Sequence, residues 1–268
     1  VAGAGSGKNS IVMTFDWRET NSIQDREFGF SADSDLRSRG GPDRRSTANY
    51  PGWAYVDSLG DYYTLNSPKA FPTLSDFHPV AGDERYNFQS ATDQTPDTRN
   101  YGFYTRASHE FNENLTAFAE VSFRRSQTVI RAAPSPVVPN YSEHGDAPDG
   151  SLNIPSTNPN NPFGEDLYLD WRARLVSAGP RINDVTSDTP RVLVGLNGTI
   201  PGSSDWTWET GALYTSNDVV NNNRGTVFDS LYQNALNGVA FGSENMFETP
   251  FGPEDTRIKS YYTRSEER

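Results

Sequence analysis

Five segments alternate apolar and polar side chains, and the connections between them alternate short and very long. These two patterns together constrain the fold more than any motif in the chain. In residues 11–18, Ile11, Met13, Phe15 and Trp17 share one side of an extended backbone, and Val12, Thr14, Asp16 and Arg18 share the other. In 101–111, Tyr101, Phe103, Thr105, Ala107 and Phe111 stand against Gly102, Tyr104, Arg106, Ser108 and Glu110. In 115–124, Leu115, Ala117, Ala119, Val121 and Phe123 stand against Thr116, Phe118, Glu120, Ser122 and Arg124. Residues 191–200 set Val192, Val194, Leu196 and Ile200 against Leu193, Gly195, Asn197 and Thr199. Residues 206–215 set Trp206, Trp208, Thr210, Ala212 and Tyr214 against Thr207, Glu209, Gly211, Leu213 and Thr215. About ten residues per segment is the length that crosses a bilayer at the usual strand tilt.

Alternation alone would also suit a soluble sandwich with one wet face. The connections separate the two cases. Residues 19–99, 125–189 and the stretch from 216 onward are long, whereas 112–114 and 201–205 are short. Soluble domains rarely carry structureless connections beyond about 15 residues. Outer-membrane barrels have short turns on one side and long loops on the other. Aromatic residues also gather near the ends of the apolar faces. Trp206, Trp208 and Phe111 lie by the short turns, and Trp17, Tyr101, Phe123 and Tyr214 lie toward the long connections, where interfacial girdles belong. The expected fold is all-β, with about five spanning strands of a large antiparallel transmembrane β-barrel and long extracellular loops. Five strands cannot close, and an open edge in lipid leaves N–H and C=O groups unpaired, so a larger barrel is expected.

Composition fits this picture. The hydrophobic fraction is 34% and mean hydropathy is −0.72, yet 12% of residues are aromatic, which argues for a folded chain with much polar loop. The net charge of −12 makes a nucleic-acid partner unexpected. With no cysteine there is neither a disulfide nor a Cys-ligated zinc. No run of about 18 apolar residues is present, so no transmembrane helix is expected. Residue 1 is Val and no signal peptide is visible, so a mature piece or fragment is expected.

The first eight residues, VAGAGSGK, approach a phosphate-binding loop. Such a loop needs G-x-x-x-x-G-K-[ST] between a strand and a helix. Ala2 stands at the first glycine position, Asn9 replaces the Ser or Thr, and the residues from Ile11 to Trp17 alternate at period two. Residues 3–8 therefore read as a flexible lead into the first strand.

Several stretches resemble the barrel region of TonB-dependent outer-membrane receptors. They include ERYNFQSATDQTPDTRNYGFYTRASHEFNENLTAFAEVSF, NPFGEDLYLDWRARLVSAGPR and RVLVGLNGTIPGSSDWTWETGALYTSN, together with GGPDRRSTANYPG, LYQNALNGVAFG and TPFGPED. The resemblance implies a barrel of the 22-stranded type with an N-terminal plug, importing scarce nutrients with inner-membrane energy. It places residues 1–268 in the barrel domain of such a receptor, with no plug, no energy-coupling box and no terminal aromatic strand. Its implied partners are outer-membrane lipid, the receptor's own plug, the TonB energy-coupling complex and a small-molecule ligand of siderophore, carbohydrate or cobalamin type. The implied location is the outer membrane of a Gram-negative type of cell.

Two groups of residues are candidates for function. Asp16, Arg18, Arg106, Glu110, Glu120, Arg124 and Glu209 fall on the polar, lumen-facing side, where they contact substrate or plug, or merely pair with one another. Loop aromatics Trp53, Tyr55, Tyr62, Tyr63 and Trp171 are candidates for stacking on a ligand, or for packing the loops onto themselves. His78, His109 and His144 lack metal-ligand spacing, the loop carboxylates form no calcium loop, and no G-x-S-x-G elbow occurs. No enzyme activity, cofactor or metal is expected. The competing reading is a secreted or periplasmic all-β carbohydrate-binding protein whose apolar faces meet across about 10 Å. Finally, Leu167, Leu169, Trp171 and Ala173 alternate on one side of 167–181. That stretch is expected to extend the barrel by pairing with 187–196 across a loop near 183–187, leaving Arg172 and Arg174 to grip an anionic substrate.

Overall fold

The alternating segments pair with one another in chain order. The structure, a computed structural model, describes residues 1–82, 84–137, 152–167, 171–202, 206–238 and 263–267. Leu169, His144 and part of the 201–205 turn lie outside these residues. One long antiparallel sheet contains β1 (Ala2–Ser6), β2 (Asn9–Thr20), β8 (Asp97–Asn112), β9 (Leu115–Ala132), β12 (Arg181–Thr199), β13 (Thr207–Thr215), β14 (Asp218–Val227) and β15 (Thr263–Glu267). It is open at both edges among the described residues.

The sheet differs from the sequence reading in three ways. First, residues 3–8 are not a flexible lead. Ala2–Ser6 pairs with β2 from Ala2↔Met13 to Ser6↔Asn9, and Gly7 (φ 56°) and Lys8 form the two-residue turn. Small side chains and a glycine able to take positive φ suit this tight hairpin. Second, the strands outgrow the ten-residue estimate: β8, β9 and β12 have 16, 18 and 19 residues, with the excess at the end of the long connections. Third, β13 and β14 form one continuous partner of β12, in a single register from Thr199↔Thr207 to Ile182↔Arg224. The break falls at Pro190, whose carbonyl accepts from Ser216 N at 3.3 Å but which has no N–H to return the bond.

All the short turns lie at one end of the sheet, where Glu110 N donates to Lys8 O at 2.8 Å and Thr199 N donates to Asn114 O at 3.2 Å. In their described residues the long connections are not structureless loops. They build a cap at the other end, in which β3 (Ile23–Gln24) pairs with β7 (Asp93–Thr95). The first insertion also supplies β4 (Trp53–Val56), β5 (Asp61–Leu65) and β6 (Phe77–Pro79), and the second supplies β10 (Pro136–Val137) and β11 (Trp171–Arg174). These five strands make a second sheet in the order β10-β11-β4-β5-β6. A third insertion adds helix α1 (Asp229–Leu236), whose buried Tyr232, Ala235 and Leu236 follow helical spacing.

Here the expectation for 167–181 fails. Arg172 and Trp171 pair with Trp53 and Ala54, and 183–187 is continuous β12 strand held by β9 on one side and β14 on the other. The Asn-Asp-Ser composition of 183–187 favours a turn locally, but two full ladders override it.

The hydrophobic core sits wholly at the cap end. It joins Ala54, Val56, Leu65 and Phe77 of the first insertion to Val137, Leu152, Ile154, Leu167, Ala173 and Leu175 of the second and to α1. Among the described residues, Val227 is the one member of the long sheet's strands that enters it.

Candidate functional site

Because each register fixes which side chains share a face, the sheet divides into two surfaces. Rows of paired residues show that the residues assigned to the apolar side within the ladders lie on one face, while Phe111 falls in a β-bulge between Glu110 and Asn112. For example, Met13, Thr105, Val121, Val192 and Tyr214 form one such row. No second sheet covers that face among the described residues. Phe15 is 71% exposed, Trp17 60%, Tyr214 64% and Trp206 68%. Along β9 the apolar run from Leu115 to Phe123 covers about 27 Å at ~3.4 Å per residue.

The borders of this band are sharp and oblique. Toward the cap, Trp17 and Tyr101 stand in the same row as Arg125, Asp188 and Asp218, and the next row holds Glu19, Arg99 and Gln127. Toward the short turns, the row of Ile11, Ala107, Ala119, Val194 and Ala212 is the last apolar one on β2, where Asn9 comes next. On β12 and β13 the apolar residues continue past that row to Ile200 and Trp206. A flat layer crossed by tilted strands marks the sheet with a band of this slanting kind.

The opposite face is polar. Asp16, Arg18, Arg106, Glu110, Glu120, Arg124 and Glu209 all lie on it. Only Glu120 and Arg106 of these meet in an ion pair among the described residues, at 3.0 Å, and Arg191 completes the group by reaching the other carboxylate oxygen at 2.9 Å. Arg191 was missed as a candidate, although its alternation with Val192 and Val194 puts it on the polar side. Beside this trio Phe118 is buried, lying over Gly195 with the Arg106 guanidinium 5.1 Å from its ring centre. Gly102 leaves a gap into which Asp16 Oδ1 and the Arg124 backbone converge.

The cap distributes the loop candidates unevenly. Trp53, Tyr55 and Tyr62 share the face of the β4–β5 hairpin turned away from the core, in edge-on contacts with centroids 5.0 Å apart. Arg172 lies 5.3 Å over the Trp53 ring, and both are tethered to Thr47, through Trp53 Nε1 to its carbonyl at 2.8 Å and Arg172 Nη1 to its Oγ1 at 2.5 Å. Tyr63 is on the other face, 6.0 Å from Phe163 and against the core. Trp171 pairs with Ala54 in the ladder. Arg174 is buried, donating to the carbonyls of Ala48 (3.1 Å) and Pro134 (2.7 Å) and to Ser46 Oγ (2.7 Å), so its guanidinium ties the two insertions together.

Several carboxylates of the cap pair with nearby cations. The hydrogen bond from Arg37 holds the Asp35 carboxyl well below the usual carboxylate range, and Arg45 does the same for Asp43. Thr73 N–H and Lys69 lower Asp76 to about 2. Among the described residues no His, Asp and Glu side chains gather into a metal-binding group, and no helix is long and apolar enough to cross a membrane.

The fold and these surfaces define an all-β protein built of antiparallel sheets, with one uncovered apolar face and a folded cap. Compared with protein-family models, with curated proteins and with solved structures, the chain matches none of them.

Proposed function

We propose that this chain is part of an outer-membrane β-barrel of the TonB-dependent receptor type, importing a large scarce nutrient, with the apolar face of the long sheet against lipid. The observation that carries this reading is the exposed apolar band, bounded toward the cap by aromatic and then charged residues and oblique to the strands. A contiguous apolar patch of this size marks a surface covered by lipid or by protein, and the aromatic and charged residues along its cap-side border favour lipid. The polar face with its Glu120–Arg106–Arg191 trio then faces the hydrated lumen, and the cap stands outside the membrane with Trp53, Tyr55, Tyr62 and Arg172 as ligand contacts. The sandwich alternative requires a sheet packed on the Trp206, Ala212, Val121 and Leu196 face, whereas the cap sheet buries its side chains among the insertions.

Quenching by brominated acyl chains tests the reading. With the protein in vesicles, the fluorescence contributed by Trp17 and by Trp206, each taken as the difference from its Phe variant, should be strongly quenched, and that of Trp53 should not. Equal quenching of all three, or quenching of Trp53 alone, is incompatible with the proposed placement.

A further inference from the structure

The charges of the polar face are unevenly spread. In successive rows of that face, counted from the cap, register places Arg18, then Asp16 with Arg124, then Arg191, then Arg106 with Glu120. Four guanidiniums meet two carboxylates there, which leaves two positive charges in surplus. Glu110 and Glu209 lie two rows farther on, at the end of the short turns. The surplus is local, because the chain as a whole carries a net charge of −12. We infer that this patch binds an oxyanion, the carboxylate or phosphate group of a small ligand, between Arg124 and Arg191. The inference deepens the transport reading and rests on it, because that reading turns this face toward an aqueous interior.

Arg124 is exposed and makes no ion pair among the described residues. Arg191 stands diagonally from it, since Arg124 pairs with Thr189 and Arg191 with Ser122 in the β9–β12 ladder. Such diagonal neighbours lie about 7–8 Å apart, close enough for two long side chains to converge on one group. Arg191 donates to one oxygen of Glu120 at 2.9 Å, and Arg106 holds the other at 3.0 Å. One carboxylate shared by two guanidiniums leaves the trio positive, and it leaves Arg191 with N–H donors to spare. Asp16 lies across Gly102 from Arg124 and two residues from Arg18 on β2, so it offsets one of these two cations and not both. On the opposite face Arg125 and Asp188 neutralise each other and do not alter the count. A planar guanidinium matches carboxylate and phosphate in both charge and fork geometry, whereas a neutral ligand gains nothing from the surplus and a cation is repelled by it.

Calorimetric titration with pyrophosphate, on the whole chain in a nonionic detergent at low salt, tests the inference. The parent should bind the anion at a single site, and more weakly as salt is raised. Arg124→Gln should weaken binding by about tenfold, in line with the loss of a charge-assisted bond. Arg99→Gln, on the opposite face of the sheet, should leave it unchanged. A parent that binds no pyrophosphate, an Arg124→Gln variant that binds as the parent does, or an equal loss in Arg99→Gln overturns the proposal. If Arg124→Gln does not fold, magnetic resonance of the arginine side chains in the parent decides instead. Pyrophosphate should shift the Arg124 and Arg191 signals and not that of Arg99, and the reverse pattern refutes the assignment. Quenching of Trp17 by brominated acyl chains in vesicles separates this inference from the reading beneath it. With quenching intact and no anion bound, only the site fails; with quenching absent, the membrane reading fails whatever the titration shows.

Discussion

Phe118 points to the polar face yet is buried, because Gly195 leaves room beneath its ring. A Cβ at position 195 would come within 2.8 Å of Phe118 Cε1 and 2.7 Å of Thr210 O. Gly195→Ala should therefore destabilise the sheet by about 1–3 kcal/mol, the usual cost of overpacking. Gly29→Ala, with nothing within 4 Å of its added methyl, should stay within about 0.5 kcal/mol. Unfolding in urea compares the two, and equal effects would show that Phe118 does not depend on the gap. At this scale the sequence was informative about faces and silent about partners. Parity within one strand is local information, so Asp16, Arg106, Glu120 and Glu209 could be placed on the polar side without knowing the fold. The meeting of Arg106, Glu120 and Arg191 depends on how three strands align, which no single segment encodes. The same constraint hid the charged rows above the band, although Glu19, Arg99, Arg125 and Asp188 each come directly after an apolar run or lie just before one.

Five segments of the long sheet were legible because their period is two and unbroken, whereas β1, β14, β15 and the cap-side part of β12 lack that alternation and were read as lead, loop or connection. The insertions were not, because their strands are short and draw partners from distant stretches, as β11 does from β4 across more than a hundred residues. Composition rich in Pro, Gly, Asn and Asp reads as loop, yet these residues make the tight joints of a packed unit. One joint is sensitive to acid. Asp76 accepts from Thr73 N at 2.8 Å and from Lys69, and it precedes the core residue Phe77 on β6. Its carboxyl titrates at about 2 in the folded chain against an ordinary 3.8, so it binds a proton less readily when folded. Its contribution is complete above pH ~4 and is lost as pH falls through about 2. Hydrogen exchange at the Thr73 and Asp76 amides, referred to unstructured rates, should lose protection across that window, and Asp76→Asn should remove the pH dependence. Constant protection of the parent from pH 5 to pH 2 would contradict the assignment.

For the molecule as a whole, the two ends obey different rules. The cap is held by a conventional apolar core, whereas the long sheet, among the described residues, relies on its ladders and gives that core only Val227. In lipid vesicles, Val121→Arg on the apolar face should cost about 2–4 kcal/mol of folding free energy, and Ser122→Arg on the polar face distinctly less. Folding titrations of both variants check this, and equal penalties would mean that the two faces meet the same medium.

The cap's three insertions converge on Asn158, Asn160 and Asn161, all buried. Asn158 donates to Leu236 O at the end of α1 (2.9 Å), Asn160 accepts from Phe71 N (2.9 Å), and Asn161 donates to Ile154 O (3.2 Å) and Glu165 O (2.9 Å). Each of these carbonyl and amide partners would be left unsatisfied in a dry interior if its asparagine were removed. The three segments are therefore a joint inheritance. Replacing a single insertion, the usual route by which surface loops diversify, is closed to this architecture, and a new surface must arise by substitutions on the outward faces of a unit whose pieces travel together.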